Sequence, residues 1–341
     1  MTDQVIDTQY IELTDVPDIE GLSFRMFRGE PDYQVMHNLI NATKDADDIQ
    51  RSETVEDIRR NYKYLNNCDP DKDMIFAEID NEPVAYGRVW WEKEFEGPYT
   101  YSSFVFLVPE WRRKGIGTAM LRYQEKSMRE IAEENNHPLD EARFYQTWAD
   151  DPEEGKKALL SNAGYKPVRY FFEMTRPTKD PIPDAPLPEG LVVRPVREDE
   201  YRKVLDAENR AFEDHWGHTP LTEKDFESWQ QEPKFNPALW KVAWDGDEIA
   251  GMVLNFVNEK ENEEYERKRG WTEDISVQRP WRKRGVAKAL IAQSIQMFRE
   301  MGMDHTALGV DAENPSGALG LYEYMGYKTV KQMAVYRKEM E

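Results

Sequence analysis

The stretch Gln278–Ile295, "QRPWRKRGVAKALIAQSI", opens basic, closes a turn on Gly285 and continues as an apolar-periodic helix. It sits in a chain of 341 residues with a formal net charge of -21, so Arg282, Lys283 and Arg284 form a local cationic island. A similar stretch, "EWRRKGIGTAML", occupies Glu110–Leu121. In both, a strand-like run leads into Arg-x-x-Gly-x-(Gly or Ala) and then a helix. Glycine lets the backbone curl tightly and approach a ligand. The following amides converge on one spot, where the helix dipole adds partial positive charge. Such a turn suits a small anion such as a phosphate.

The repeat extends beyond the turn. Gly285 lies 170 residues after Gly115, and Gly326 lies 162 residues after Gly164. On the N-terminal side, "MIFAEIDNEPVAYGRVWW" (Met74–Trp91) reads as two strands joined by a tight turn. "WKVAWDGDEIAGMVLNFV" (Trp240–Val257) reads the same way in the second half. Each copy then shows strand, basic turn, helix, strand, helix and closing strand. The spacing is far longer than a solenoid period. Hairpin-linked strands mixed with helices predict an α+β fold, with two similar domains, each a mixed, mostly antiparallel sheet flanked by helices. "TRPTKDPIPDAPLPEG" (Thr175–Gly190) holds five prolines, which neither helix nor strand accommodates. The boundaries read as 1–176, a proline-rich linker at 177–190, and 191–341.

Composition narrows the function classes. Hydrophobic residues make up 39% and charged residues 33%, a soluble globular balance with a polar surface. The acidity argues against non-specific nucleic-acid or anionic-membrane partners. No apolar run of transmembrane length and no signal-peptide pattern stands out, so cytoplasmic residence is the expectation. Cys68 is the single cysteine, which excludes an intrachain disulfide. His215 and His218 have His-x-x-His spacing but no third ligand at a readable position, so no metal is expected. "GIGTAM" lacks the third glycine of a dinucleotide fingerprint, and no Walker-type Gly-Lys-Ser/Thr occurs.

The strand, "RKRGVA" and helix, followed by "ENPSGALGLYEYMGY" (Glu313–Tyr327), resemble the two central motifs of the GNAT acetyltransferase superfamily. The resemblance covers nearly all of residues 191–341 and, more weakly, the N-terminal half. It implies that Arg282, Lys283, Arg284, Gly285, Val286 and Ala287 hold the pyrophosphate of acetyl-CoA, with Arg112, Gly115 and Gly117 as their N-terminal counterparts. It further implies that Asn314 contacts the CoA arm, that Tyr322 donates a proton to the leaving thiolate, and that the Val277 amide receives the oxyanion. The other reading of Tyr322 is a packing residue of an amphipathic helix beside Leu319 and Leu321; the family register of Asn314, Tyr322, Gly326 and Tyr327 favours the proton donor. Glu273 is the candidate base, acting through a water and alternating with Ile275 and Val277 on one strand face. The family commonly places that carboxylate two residues earlier, where this chain has Trp271.

Aligning Gly164 with Gly326 puts Leu160 at the place of Tyr322 and Pro152 at that of Asn314. The N-terminal domain therefore reads as degenerate and the C-terminal one as catalytic. "EDHWGHTP" (Glu213–Pro220) places Asp214, His215 and Trp216 as candidate acceptor contacts. "NEKENEEYERKR" (Asn258–Arg269) reads as a solvated loop. The expected activity is acetyl-CoA-dependent N-acetylation of a small-molecule or peptide amine, without a metal, by a monomer or homodimer. A non-catalytic acyl-CoA-binding module, or an acyltransferase for another acyl group or acceptor, is the alternative.

Overall fold

Asp80 and Asn81 both take left-handed φ, 51° and 68°, the geometry of a tight hairpin turn that suits the twist of its strands. This turn joins two strands in the computed structural model, which describes residues 10–341. Contacts divide the described chain into two compact units: the residues through Val168 together with Ala334–Glu341, and Arg169–Met333.

In the first unit the strands are β1 (Tyr10–Ile11), β2 (Leu22–Arg25), β3 (Met74–Ile79), β4 (Glu82–Lys93), β5 (Tyr99–Leu107) and β6 (Arg143–Asp150), adjacent in that order. β5 and β6 are parallel and the preceding pairs antiparallel. The helices are α1 (Glu30–Asp47), α2 (Val55–Lys63), α3 (Pro70–Asp73), α4 (Ile116–Glu134) and α5 (Glu154–Asn162). Alternation along β3 and β4 feeds two cores. Ile75, Ala77 and Ala85 pack with Ala119 and Met120 of α4, and Met74, Phe76 and Tyr86 pack with Met36 and Leu39 of α1. Beside them Arg25, 1% exposed, bonds both oxygens of Asp32 at 2.7 and 2.9 Å and Glu78 at 2.5 Å.

The second unit repeats the plan. β7 (Lys166–Pro177) contributes Phe171–Pro177, antiparallel to the later β12. β8 (Val192–Val193), β9 (Lys241–Asp245), β10 (Glu248–Val257), β11 (Arg269–Val277) and β12 (His305–Asp311) complete the sheet, with β11 and β12 parallel. The helices are α6 (Tyr201–Phe212), α7 (Glu223–Gln230), α8 (Glu259–Glu264), α9 (Val286–Glu300) and α10 (Ala318–Tyr324). Val242, Trp244 and Met252 face α6, while Ala243 and Val253 pack with Leu290 and Ile291 of α9. The mixed, mostly antiparallel α+β architecture is as expected. Tyr99 pairs with Arg143 in one unit and Arg269 with His305 in the other, so the sequence offsets of 170 and 162 reappear as strand register.

Four local expectations change. The last strand, β13 (Lys328–Glu339), ends in the first unit, where the Met340 amide bonds the Arg143 carbonyl at 2.9 Å. Residues 169–176 belong to the second unit instead of the first. The proline-rich stretch is a strap on the second unit rather than a linker. The Thr178 amide bonds Asp304 O at 2.9 Å, Arg299 donates to the carbonyls of Thr178 and Asp180, and Ile182 and Leu187 pack on the α9 core. Proline forbids regular structure there, but carbonyls and apolar rings remain available for packing. Finally, the charged loop at 258–269 contains α8, because the Asn258 side chain caps the Glu261 amide at 3.1 Å.

Candidate active site

Both basic turns adopt one backbone. Lys283 and Gly285 have φ of 61° and 93°, and Arg113 and Gly115 have 64° and 95°. The first helical bonds run from Ala289 to Gly285 and from Ala119 to Gly115. The amides of Val286, Ala287 and Lys288, and of Ile116, Gly117 and Thr118, therefore have no helical acceptor. A left-handed residue beside such amides forms a concave anion nest. Arg284 lies over Trp281 at 4.0 Å, as Lys114 lies over Trp111 at 4.1 Å.

The first arginine of each turn has a different role from the one expected. Arg282 donates to Val277 O at 3.1 Å, to Ala211 O at 3.0 Å and to Asp214 at 2.7 Å. Arg112 donates to Leu107 O at 2.9 Å and grips Asp47 at 2.5 and 2.9 Å. Both guanidinium groups pin the turn to the strand before it and to the helical segment beside it. Asp214, expected at the acceptor, accepts from Arg279 and Arg282, whose hydrogen bonds hold its carboxyl well below the usual range. The His215 ring lies 4.3 Å from that of Phe212 in a tilted pair, and burial lowers its pKa. Trp216 lies 6.5 Å from Phe171 and 5.6 Å from the Arg169 guanidinium.

β11 and β12 pair only from Arg269 to Trp271, then part. Gln278 bonds Ala250 across the other edge at 3.0 Å. Antiparallel ladders alternate, so the neighbouring Val277 N–H points away from β10, into the gap. Glu273 enters the same gap and accepts from the Gly309 amide at 2.9 Å. Its alternation with Ile275 and Val277 is interrupted. Met252 opposes Ser276 while Leu254 opposes Glu273, so Val253 faces both Asp274 and Ile275 in a β-bulge, with Asp274 at φ 46°. Burial and then the Asp274 charge push the Glu273 carboxyl up to about 8. Burial raises Asp274 and Glu208 as well. Neither of these two carried a signal in the sequence, since Glu208 reads as one more polar residue on α6.

Tyr322 is 6% exposed on α10, its ring 6.4 Å from that of Tyr327, and its pKa is raised by burial and then by the Glu273 charge. Its hydroxyl makes no hydrogen bond to the described residues. Asn314 shapes the turn before α10, its side-chain oxygen accepting from Ser316 N at 2.9 Å.

In the first unit, the strand register sets Ser103 at the place of Glu273 and Thr147 at that of Gly309. β4 and β5 pair without a slip from Ala85–Leu107 to Lys93–Tyr99, so the bulge is missing. This unit nevertheless encloses a cavity of about 820 Å³ running from Gly115 and Gly117 along β5 to Trp90 and Trp148. Six elements build its walls, which is why no single sequence window showed it. Among the described residues no three His, Cys, Asp or Glu side chains could hold a metal, and no helix is long and apolar enough to cross a membrane.

A profile described as "Acetyltransferase (GNAT) family" matches residues 36–146 and 201–327. Mycothiol acetyltransferase of Salinispora arenicola is 31% identical over 64% of this chain and 67% of its own. That of Geodermatophilus obscurus is 28% identical over 75% and 79%. A GCN5-related N-acetyltransferase from Sphaerobacter thermophilus superposes with a TM-score of 0.70 at 26% identity, covering 95% of this chain and 96% of its own. A tandem GNAT protein from the clavulanic acid biosynthesis pathway shares the fold, with a TM-score of 0.64 at 13% identity over 93% and 98%.

Proposed function

The chain belongs to the acetyltransferase (GNAT) family, and from that premise we propose that its second unit transfers an acetyl group from acetyl-CoA to a primary amine by direct attack. The observation that carries this reading is Glu273 in the strand gap beside the Val277 N–H, at a bulge the first unit lacks. Acetyl-CoA fits the residues present. The Val286, Ala287 and Lys288 amides and the Lys283 side chain would hold its pyrophosphate, and the gap would admit its arm. When bound, it supplies an activated acyl group and a thiolate leaving group.

The protein's own groups then have separate tasks. An alkylamine is mostly protonated near neutral pH, so a base must take its proton. Glu273, titrating near 8, is matched to that task. The Val277 N–H would donate to the developing oxyanion. The Tyr322 hydroxyl would return a proton to the sulfur. Asp274, raised only to about 6, keeps negative charge beside the base near neutral pH, which favours a cationic acceptor. Relatives named mycothiol acetyltransferase make a mycothiol-type acceptor one candidate. The test is a panel of antibiotic, polyamine, amino-acid and peptide amines with acetyl-CoA, followed by free thiol. Acetylation of none, with CoA still bound, would leave an acyl-CoA-binding module as the better reading.

The first unit has the turn and cavity without the carboxylate or the tyrosine, and we assign it binding without transfer. Calorimetry of the full chain should then show two CoA sites. A single site abolished by altering Gly285 would defeat that assignment.

A further inference from the structure

Arg88 lies on β4, directly opposite Phe104 on β5, and lines the first-unit cavity. Its guanidinium sits 5.0 Å from the Tyr62 ring, 5.0 Å from Trp90 and 5.3 Å from Phe104. Its Nε is buried and has no hydrogen-bond partner. No carboxylate among the described residues pairs with it. The cavity's own acids are engaged elsewhere: Asp47 by Arg112, Glu153 by the Asp150 amide and Lys156, and Glu154 by Lys157. Arg88 as a whole is half-buried; a cation withdrawn even partly from water with no counter-ion carries a cost that aromatic faces offset only in part. Arg51, over Phe106 at 4.6 Å, adds a second guanidinium to the same wall.

The second unit shows the opposite charge at the same place in the sheet. There Val253 stands where Arg88 does, opposite Asp274, and Glu273 stands where Ser103 does. One gap is lined by acids and the other by an unpaired arginine. Phe104 lies three residues before Leu107, whose carbonyl anchors Arg112 of the turn, so Arg88 sits about 10 Å along the strands from that anchor point. That distance makes it a second anion point rather than part of the turn.

We propose that the first-unit cavity is a binding site for a ligand with a free carboxylate, and that Arg88 recognises it through a bidentate pair. The carboxylate belongs either to the acyl chain of an acyl-CoA or to a separate small acid. The site stands independently of the acetyl transfer assigned to the second unit.

Calorimetry of the full chain with succinyl-CoA and acetyl-CoA, which differ at the acyl end by a free acid, tests the first source. Succinate added to CoA-saturated protein tests the second. An acid on the acyl chain should make succinyl-CoA bind at least tenfold tighter than acetyl-CoA at one site. A separate acid should make succinate bind measurably alone. In either arm Arg88→Gln should remove the advantage and leave acetyl-CoA affinity unchanged. Arg88→Lys keeps the charge without the fork geometry and should lose threefold or more, which serves if the glutamine variant does not fold. No advantage in either arm, or one that survives both substitutions, overturns the proposal.

Discussion

Glu273→Gln is the sharpest perturbation of the proposed mechanism. Burial and the Asp274 charge raise this carboxyl from its ordinary 4.5 to about 8, while the Gly309 amide and Lys234 act the other way and Glu173 adds to the rise. At pH 7 roughly one molecule in ten then carries the ionised base. The kcat/KM for the acceptor should climb about tenfold per pH unit below that point and level off above it. Because Asp274 and Glu208 titrate nearby, the observed inflection belongs to the cluster. Asp274→Asn removes the second-largest cause and should move it to lower pH. Glu273→Gln should abolish the rise and lower the plateau by about 10²- to 10⁴-fold. The linkage runs in a fixed direction. The folded state holds this proton more tightly than the unfolded one between pH 4.5 and about 8. The carboxyl therefore destabilises the fold progressively as pH rises through that window. The glutamine variant should gain Tm relative to the parent at pH 9 and not at pH 4. A flat profile between pH 6 and 9, or a variant with parental rates, would refute the reasoning.

Tyr322→Phe should reduce turnover by about 10²-fold while calorimetry shows acetyl-CoA affinity preserved; parental turnover would remove the hydroxyl from the mechanism. Gly285→Ala meets no atom within 4 Å, so its cost is the left-handed φ of 93° alone, about 1–2 kcal/mol. Thermal denaturation should register that loss, and acetyl-CoA binding to the second unit should weaken. Asp32→Ala leaves the buried Arg25 with Glu78 as its remaining buried carboxylate partner, and chemical denaturation should show a loss of about 3–5 kcal/mol.

Read alone, the sequence determined the duplication, the two basic turns and the α+β class. These follow from local rules. Asp-Asn and Asp-Gly-Asp turns make hairpins, Gly115 and Gly285 permit the left-handed step before a helix, and apolar period marks strand against helix. Even the offsets of 170 and 162 survived as strand register. The tertiary structure decided what depended on partners distant in the chain. Arg112 and Arg282 look like phosphate ligands until Asp47 and Asp214, 65 and 68 residues away, claim them. The bulge at Asp274 exists only in relation to Val253 on the neighbouring strand. The proline-rich stretch became a strap because Arg299 and Asp304 meet its backbone. The first unit, degenerate at Leu160 and Pro152, encloses the cavity near Arg88 because six elements converge there. Local periodicity encodes backbone shape, whereas the charge left unpaired in a cavity is settled only when every neighbour is in place.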